Sequence, residues 1–273
     1  MNKKIKLQLG TVQETLLLPL IARVKETEFK HPILNDTKSV ELYKQLEVNE
    51  KKLLRNMTEI GIYGLCYRAY KMDETIRAFL VKNPNGKILD IGSGLDTTYY
   101  RCDNGKALWY DLDMPDSMAL RKQLLPPPNN RVTYIAKSMF DYSWIDDIGD
   151  ISNGLLITIP GVLPYFKEAD VQAFFTTIAP KLKGAEIMFD VISQMGIFFV
   201  DARIKAAGMK NAHLKWGILD PKTISSWSEH IELIRAIKFF DDKQKLKIRF
   251  TTRAALRINK LFDMSQLFHF RFK

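Results

Sequence analysis

The stretch at residues 87–101, Lys-Ile-Leu-Asp-Ile-Gly-Ser-Gly-Leu-Asp-Thr-Thr-Tyr-Tyr-Arg, constrains the architecture of this chain more than any other. An apolar strand runs without a linker into a turn holding two glycines, and an acid stands on each side of that turn, Asp90 and Asp96. Gly92 and Gly94 can adopt φ > 0 and allow close backbone approach, which is what a turn that hugs a ligand needs. Asp90, near the strand end, can accept hydrogen bonds from a cationic group. Thr97 stands where the dinucleotide fingerprint G-x-G-x-x-G/A wants a third Gly or Ala, which weakens a nicotinamide reading.

A second apolar run, Ala-Leu-Trp-Tyr-Asp-Leu-Asp at 107–113, ends in two acids, Asp111 and Asp113, 17 and 19 positions after Gly94. In a βαβ unit the acid that closes the second strand lies beside the first turn, where it can hold the ribose hydroxyls of a nucleoside.

The pattern around these two runs is that of an α/β protein. Asn83-Pro84-Asn85-Gly86 is a turn, and strands are expected at 87–91, 107–111, 131–136, 154–159, 185–191, 230–238 and 267–272. Helices are expected at 117–125, 168–182 and 194–207, and 221–229 caps the unit before the sixth strand. Strands alternating with helical crossovers give a doubly wound, mostly parallel sheet of seven strands with helices on both faces and ligands at the carboxyl ends of the strands.

Upstream, Val12, Leu16, Leu20 and Val24 keep one face of a helix over 11–27 that contains Pro19. Asn35-Asp36 caps a helix over 38–46, and a long helical pattern over 53–81 is broken at Gly61 and Gly64. The expected division is a helical N-terminal extension at 1–82, able to serve as a lid, and a core at 83–273, together forming one structural domain.

The runs Asp-Ile-Gly-Ser-Gly-Leu-Asp-Thr-Thr-Tyr-Tyr-Arg at 90–101, Tyr-Asp-Leu-Asp-Met-Pro at 110–115 and Ile-Pro-Gly-Val-Leu-Pro-Tyr-Phe at 159–166 follow one another in a recognisable order. Together they resemble the leucine carboxyl methyltransferase family, which includes tetracenomycin-type polyketide O-methyltransferases. The resemblance covers residues 11–200, and Gly-Leu-Asp-Thr is its most specific element. It implies a Rossmann-like methyltransferase fold, S-adenosyl-L-methionine as cofactor, no metal, and cofactor contacts from Asp90, Gly92, Ser93, Gly94, Asp96, Thr97, Asp111 and Asp113.

Further roles come with the resemblance. Arg68, in Gly-Leu-Cys-Tyr-Arg-Ala-Tyr at 64–70, matches the arginine that grips the methionyl carboxylate, a task suited to a planar guanidinium fork. Arg23 matches a basic residue that helps close the site over that carboxylate. Ser138 and Met139 fall where the family reads an Asp-Leu pair beside the adenine; Ser138 can hydrogen-bond an exocyclic amine and Met139 can pack on the ring. The family's fourth-strand motif carries Glu before Gly-Val-Leu, whereas this chain has Pro160, which offers neither a side-chain acceptor nor a backbone donor. Tyr165 matches, and Tyr165 and His213 are the candidate catalytic residues beside the acceptor.

Composition closes off other classes. The chain has 273 residues and no apolar run long enough to span a membrane, and its first residues lack a signal-peptide pattern, so a cytoplasmic protein is expected. Cys66 and Cys102 make neither a metal spacing nor a disulfide framework. No Gly-x-Ser-x-Gly elbow, phosphate-binding Gly-Lys-Ser/Thr or His-Glu-x-x-His occurs. The net charge of +10 sits wholly within 203–273. Such an excess suits a solvated face or, as the alternative, an RNA acceptor; no RNA-binding motif accompanies it.

The expected activity is therefore S-adenosylmethionine-dependent O-methylation of a carboxylate on a small molecule or peptide, with nucleic acid not expected as a partner. A cofactor-binding protein without catalysis is the alternative that Pro160 favours.

Overall fold

The computed structural model describes residues 4–6, 13–48, 58–206, 213–239 and 264–273. Two short strands, β1 (Ile5–Lys6) and β2 (Leu46–Glu47), pair in parallel. The main sheet has seven strands: β3 (Lys87–Ile91), β4 (Leu108–Asp113), β5 (Val132–Ala136), β6 (Leu155–Ile159), β7 (Glu186–Ile192), β8 (Ile231–Lys238) and β9 (Ser265–Phe272). Their order is β5-β4-β3-β6-β7-β9-β8; the first five neighbours pair in parallel, while β9 runs antiparallel to both β7 and β8.

The chain leaves β3 toward β4 and β5 on one side and returns to β6 on the other. A crevice therefore opens at the carboxyl end of β3, where successive crossovers part. Leu155–Ile159 is buried along its whole length and Lys87–Ile91 nearly so, as expected of parallel strands covered on both faces.

The helices that cover the sheet are α1 (Gln13–Thr27), α2 (Thr37–Lys44), α3 (Glu59–Lys82), α4 (Thr98–Cys102), α5 (Pro115–Leu124), α6 (Trp144–Ile148), α7 (Glu168–Ile178), α8 (Gln194–Ala206) and α9 (Pro221–Ser225). On one face Ile76, Phe79 and Leu80 of α3 pack on Ile88, Trp109 and Leu156; on the other, Phe174 and Phe175 of α7 pack with Ile157, Phe189, Phe268 and Phe270. Each such side chain, fully removed from water, contributes about 1.5–3 kcal/mol. No described helix is long and apolar enough to cross a membrane.

Three local expectations change. Helix α3 runs unbroken through Gly61 and Gly64: Thr58 caps it by accepting from Gly61 N, and the burial of Tyr63, Cys66 and Tyr67 outweighs the roughly 1 kcal/mol that each interior glycine costs. The second helix ends at Lys44, because Leu46–Glu47 extends to pair with β1. Short helices α4 and α6 occupy segments too brief for periodicity to reveal. Residues 11–12, 53–57 and 207 of expected helices, and residues 208–212 and 240–263 of the basic C-terminal stretch, lie outside the described residues.

Candidate cofactor and acceptor site

A cavity of about 1140 Å³ lies over the carboxyl ends of β3, β4, β6 and β7, and α1 and α3 contribute to its walls. The glycine turn forms its floor. Gly92 N and Ser93 N both donate to Leu112 O, at 2.7 and 3.2 Å, which binds the turn to β4. Gly92 and Gly94 have φ of 72° and 43°. A Cβ on Gly92 would sit 2.3 Å from Val162 Cγ2, and one on Gly94 2.6 Å from Leu16 Cδ2. Protein side chains from the turn after β6 and from α1 thus make the close approach here, and the glycines let the cavity walls close on the turn.

The two acids at the end of β4 part company, because successive residues of a strand face opposite ways but those two apart share a face at different depths. Asp113 lines the cavity; its Oδ2 accepts from Gly94 N at 2.7 Å and its Oδ1 from Met114 N at 2.7 Å. Asp111 does not line the cavity. Its carboxylate, buried beside Asp90 in register, accepts from Arg121 Nη2 at 2.7 Å, and Arg121 Nη1 donates to the carbonyls of Gly94 and Asp96. Asp111 therefore secures the turn through Arg121, and its carboxylate, expected at a ribose, is engaged by that guanidinium and stands outside the cavity lining.

Asp90 reaches the cavity floor and accepts from Thr158 Oγ1 at 3.0 Å. Burial, with the negative charges of Asp96 and Asp111 nearby, pushes its carboxyl well above the usual range, so a cation placed there gains by keeping it ionised. Burial opposes ionisation of Asp96 as well, yet the Arg23 and Arg101 guanidinium groups pull its carboxyl down to about 2. Ser93 is 2% exposed, and its hydroxyl has no hydrogen-bond partner among the described residues although it lines the cavity.

Thr97 and Arg23 have mainly structural duties. Thr97 Oγ1 donates to Asp36 Oδ2 at 2.5 Å and is not part of the lining. Arg23 touches the cavity, but its Nε donates to Asp36 Oδ2 and its Nη2 to Leu95 O, both at 2.9 Å. Asp36 also receives Arg101 Nη1 at 2.7 Å, while Arg101 grips Asp73 of α3 with Nε and Nη2. One buried carboxylate at the start of α2 thus joins α1, α2 and the glycine turn.

Across the cavity, Arg68 of α3 donates from Nη1 to Asp190 Oδ2 at 2.9 Å, and Asp190 Oδ1 accepts from Gly161 N at 2.5 Å. Pro160, Tyr165, Ser138 and Met139 line the cavity. Burial raises the Tyr165 phenol, against the pull of Arg68. His213 is at the mouth, its side chain 44% exposed, with Nδ1 3.5 Å from Asp201 Oδ2. Asp190 and Asp201 were not singled out from sequence. Asp190 carried one signal, an acid inside an apolar strand, of the same kind that marks Asp90; Asp201 carried none. Much of the remaining lining is apolar, including Ile60, Leu65 and Met72 of α3 with Phe166, Ile192 and Phe199.

An unpartnered buried hydroxyl, three carboxylates, an arginine and a glycine floor fit a nucleoside with a zwitterionic amino-acid tail. Asp113 suits the ribose hydroxyls, Asp90 an ammonium and Arg68 a carboxylate.

No protein-family model matches the chain. It is 28% identical over 223 residues to the tetracenomycin polyketide synthesis O-methyltransferase TcmP of Streptomyces glaucescens, spanning 81% of this chain and 80% of that one. It is 24% identical over 240 residues to the S-adenosyl-L-methionine-dependent methyltransferase dpfgK of Gibberella zeae, spanning 82% and 80%. Among solved structures, a DUF574 family protein from Streptomyces avermitilis matches with a TM-score of 0.60 at 14% identity, over 93% of this chain and 97% of that one. Magnesium protoporphyrin IX methyltransferase (ChlM) from Synechocystis, solved with SAH, matches at 0.50 and 12% identity over 87% and 100%. The fold shared with it is the Rossmann-like methyltransferase fold, and both sequence relatives are named as methyltransferases.

Proposed function

We propose that this chain is an S-adenosylmethionine-dependent O-methyltransferase whose acceptor is a carboxylate on a small, largely apolar molecule or a peptide. The observation that carries the reading is the convergence of Asp113, Asp90 and the unpartnered Ser93 hydroxyl on one cavity floor, with Arg68 opposite. When bound, the cofactor supplies an electrophilic methyl group on a sulfonium. The protein's part is to hold both reactants and exclude water.

In this reading Asp113, already fixed by two backbone N–H donors, presents its free lone pairs to the ribose. Asp90 pairs with the ammonium, Arg68 with the carboxylate, and Ser138 and Met139 flank the adenine. The apolar side chains of α3 and α8 give an acceptor an environment that strengthens its polar contacts by lowering the local dielectric. Exposed Lys215, at the cavity rim, can draw in an anionic acceptor. The helices α1 and α3 act as the cover of the cofactor side. A carboxylate is ionised at neutral pH and needs no base.

One observation favours a second reading, a hydroxyl acceptor. His213 lies at the cavity mouth with Asp201 beside Nδ1, an arrangement that could orient Nε2 as a general base. The test of the proposal is native mass spectrometry of the purified chain with S-adenosylmethionine, followed by methyl transfer from the labelled cofactor to a panel of aromatic and aliphatic carboxylic acids. Retention of the cofactor and labelled, base-labile esters are expected. Retention without any transfer would favour a binding protein without catalysis, and transfer only to phenols would favour the second reading.

A further inference from the structure

The turn after β6 takes its acid from the neighbouring strand. Pro160 brings no side-chain acceptor to the cavity. In the parallel pairing of β6 with β7, Thr158 lies beside Met188 and Ile159 beside Phe189, so continuing the register puts Pro160 beside Asp190. The Asp190 carboxylate is half-buried at that spot, and each of its oxygens is used: Oδ1 accepts from Gly161 N at 2.5 Å and Oδ2 from Arg68 Nη1 at 2.9 Å. A Cβ on Gly161, whose φ is 71°, would lie 2.5 Å from Arg68 Nη1, so the guanidinium rests directly on this turn. Among the described residues no other side chain holds the Arg68 fork.

We infer that Asp190 is the positioning residue for Arg68: it fixes one edge of the guanidinium against the β6 turn and thereby aims the remaining N–H donors at the carboxylate end of the cofactor. The inference rests on the cofactor reading above. It follows from two requirements. A bidentate clamp needs its plane fixed before the ligand arrives, and a long arginine side chain left unanchored at a cavity wall loses rotamer freedom on binding, which lowers affinity. Asp190 also offsets the positive charge of Arg68 before the cofactor binds, whereas the bound carboxylate shares the guanidinium through its other nitrogens. The acid serving this cavity wall therefore stands one strand away from the turn itself. Neighbouring strands are about 4.8 Å apart, a gap that the longer side chain of a glutamate at position 160 can bridge.

Isothermal titration of the full chain with S-adenosylmethionine and, separately, adenosine tests this, with melting temperatures as the check on folding. Asp190→Asn keeps an acceptor for Gly161 N but removes the charge that anchors Arg68. Its affinity for S-adenosylmethionine should fall on the order of tenfold, while adenosine, which has no carboxylate, binds within about twofold of the parent. In the Arg68→Ala background the same substitution should add no further loss for S-adenosylmethionine, as expected for two residues acting through one contact. The double variant P160E/D190N returns a carboxylate to the turn and should recover affinity to within about threefold of the parent.

Equal losses for both ligands, full additivity with Arg68→Ala, or no rescue by P160E/D190N would each overturn the inference. So would tighter S-adenosylmethionine binding by Asp190→Asn, because Asp190 would then be a competitor of the cofactor for Arg68. A parent chain that binds neither ligand overturns the cofactor reading itself, whereas a parent that binds both, with unaltered variants, overturns the role of Asp190 alone.

Discussion

Gly94 donates its backbone N–H to Asp113 Oδ2 at 2.7 Å, joining the turn after β3 to the carboxyl end of β4. The bond fixes the aspartate rotamer without using all its acceptor capacity, since a carboxylate offers about four lone-pair sites. The carboxylate is therefore held in one orientation with lone pairs left for a further donor.

Asp113 and Asp111 should consequently respond differently to substitution. Asp113→Ala should weaken S-adenosylmethionine binding by roughly 1–3 kcal/mol, through unpaired ribose hydroxyls, with a small change in melting temperature. Asp111→Ala leaves the Arg121 guanidinium buried without its counter-charge, a defect that costs roughly 3–5 kcal/mol of stability. Calorimetric titration and thermal melts of the two variants separate these effects, and similar profiles for both would contradict the assignment.

Asp36 gathers Arg23, Arg101, Ser39 and Thr97 on one buried carboxylate oxygen. Burial opposes its charge, but Arg101 and Arg23 hold the carboxyl below the usual carboxylate range. Asp36→Ala takes one counter-charge from two buried arginines, leaving Arg101 with Asp73 and Arg23 with Asp96, and should destabilise the fold by roughly 1–3 kcal/mol, measured by urea unfolding. Asp36→Asn, keeping some of the hydrogen bonds, should fall between the parent and the alanine variant.

Stability at acid pH has a local contributor between β7 and β9. The hydrogen bond with His269 Nε2, at 2.8 Å, and then that from Arg271 hold the Glu186 carboxyl down to about 2 from an ordinary 4.5. A depressed folded-state value stabilises above the unfolded value, so this contribution is complete above 4.5 and is lost as pH falls toward 2. The gap in melting temperature between the parent and Glu186→Gln should be widest near neutrality and close across that acid interval. A gap independent of pH would show that the ion pair does not carry it.

The acceptor oxygen can be identified from rate against pH. A carboxyl group, with a reference pKa near 4, is already an anion, whereas a phenol near 10 must lose a proton before or during transfer. Methylation should be nearly flat between about pH 6.5 and 9, and His213→Ala should stay within about threefold of the parent. A steep rise with pH, or a large loss in that variant, would place the His213–Asp201 pair in catalysis and the acceptor among hydroxyl compounds.

Much of this was legible in the sequence. Apolar strands entering glycine or acidic turns marked β3, β4 and the sheet, because burial on both faces leaves a continuous apolar signature at 87–91 and 154–159. The division of labour between Asp111 and Asp113 was not legible, since it depends on Arg121 arriving from α5 across the turn. Nor was the fate of Thr97 and Arg23, which is decided by Asp36, a residue that from sequence reads only as a helix cap. Asp190 shows the same limit: the role of an acid on the fifth strand of the sheet emerges only when its register beside Pro160 is known. Chemistry carried within one βα unit was visible, and chemistry assembled across units was not.

The pairing of β9 between β7 and β8 has a consequence for how this protein is made. β7, which carries Asp190, pairs along its outer edge with Ser265–Phe272, a segment that follows α8, α9 and β8 in the chain. Until that segment is synthesised, the outer edge of β7 is a row of unsatisfied backbone groups flanked by Ile187, Met188 and Phe189, open to association with other nascent chains. Because the insertion joins residues far apart in sequence, it is slow relative to the local β3–β4 unit. The β3–β4 side of the cavity can therefore take shape early in biogenesis, whereas the wall bearing Asp190 matures only with the late strand.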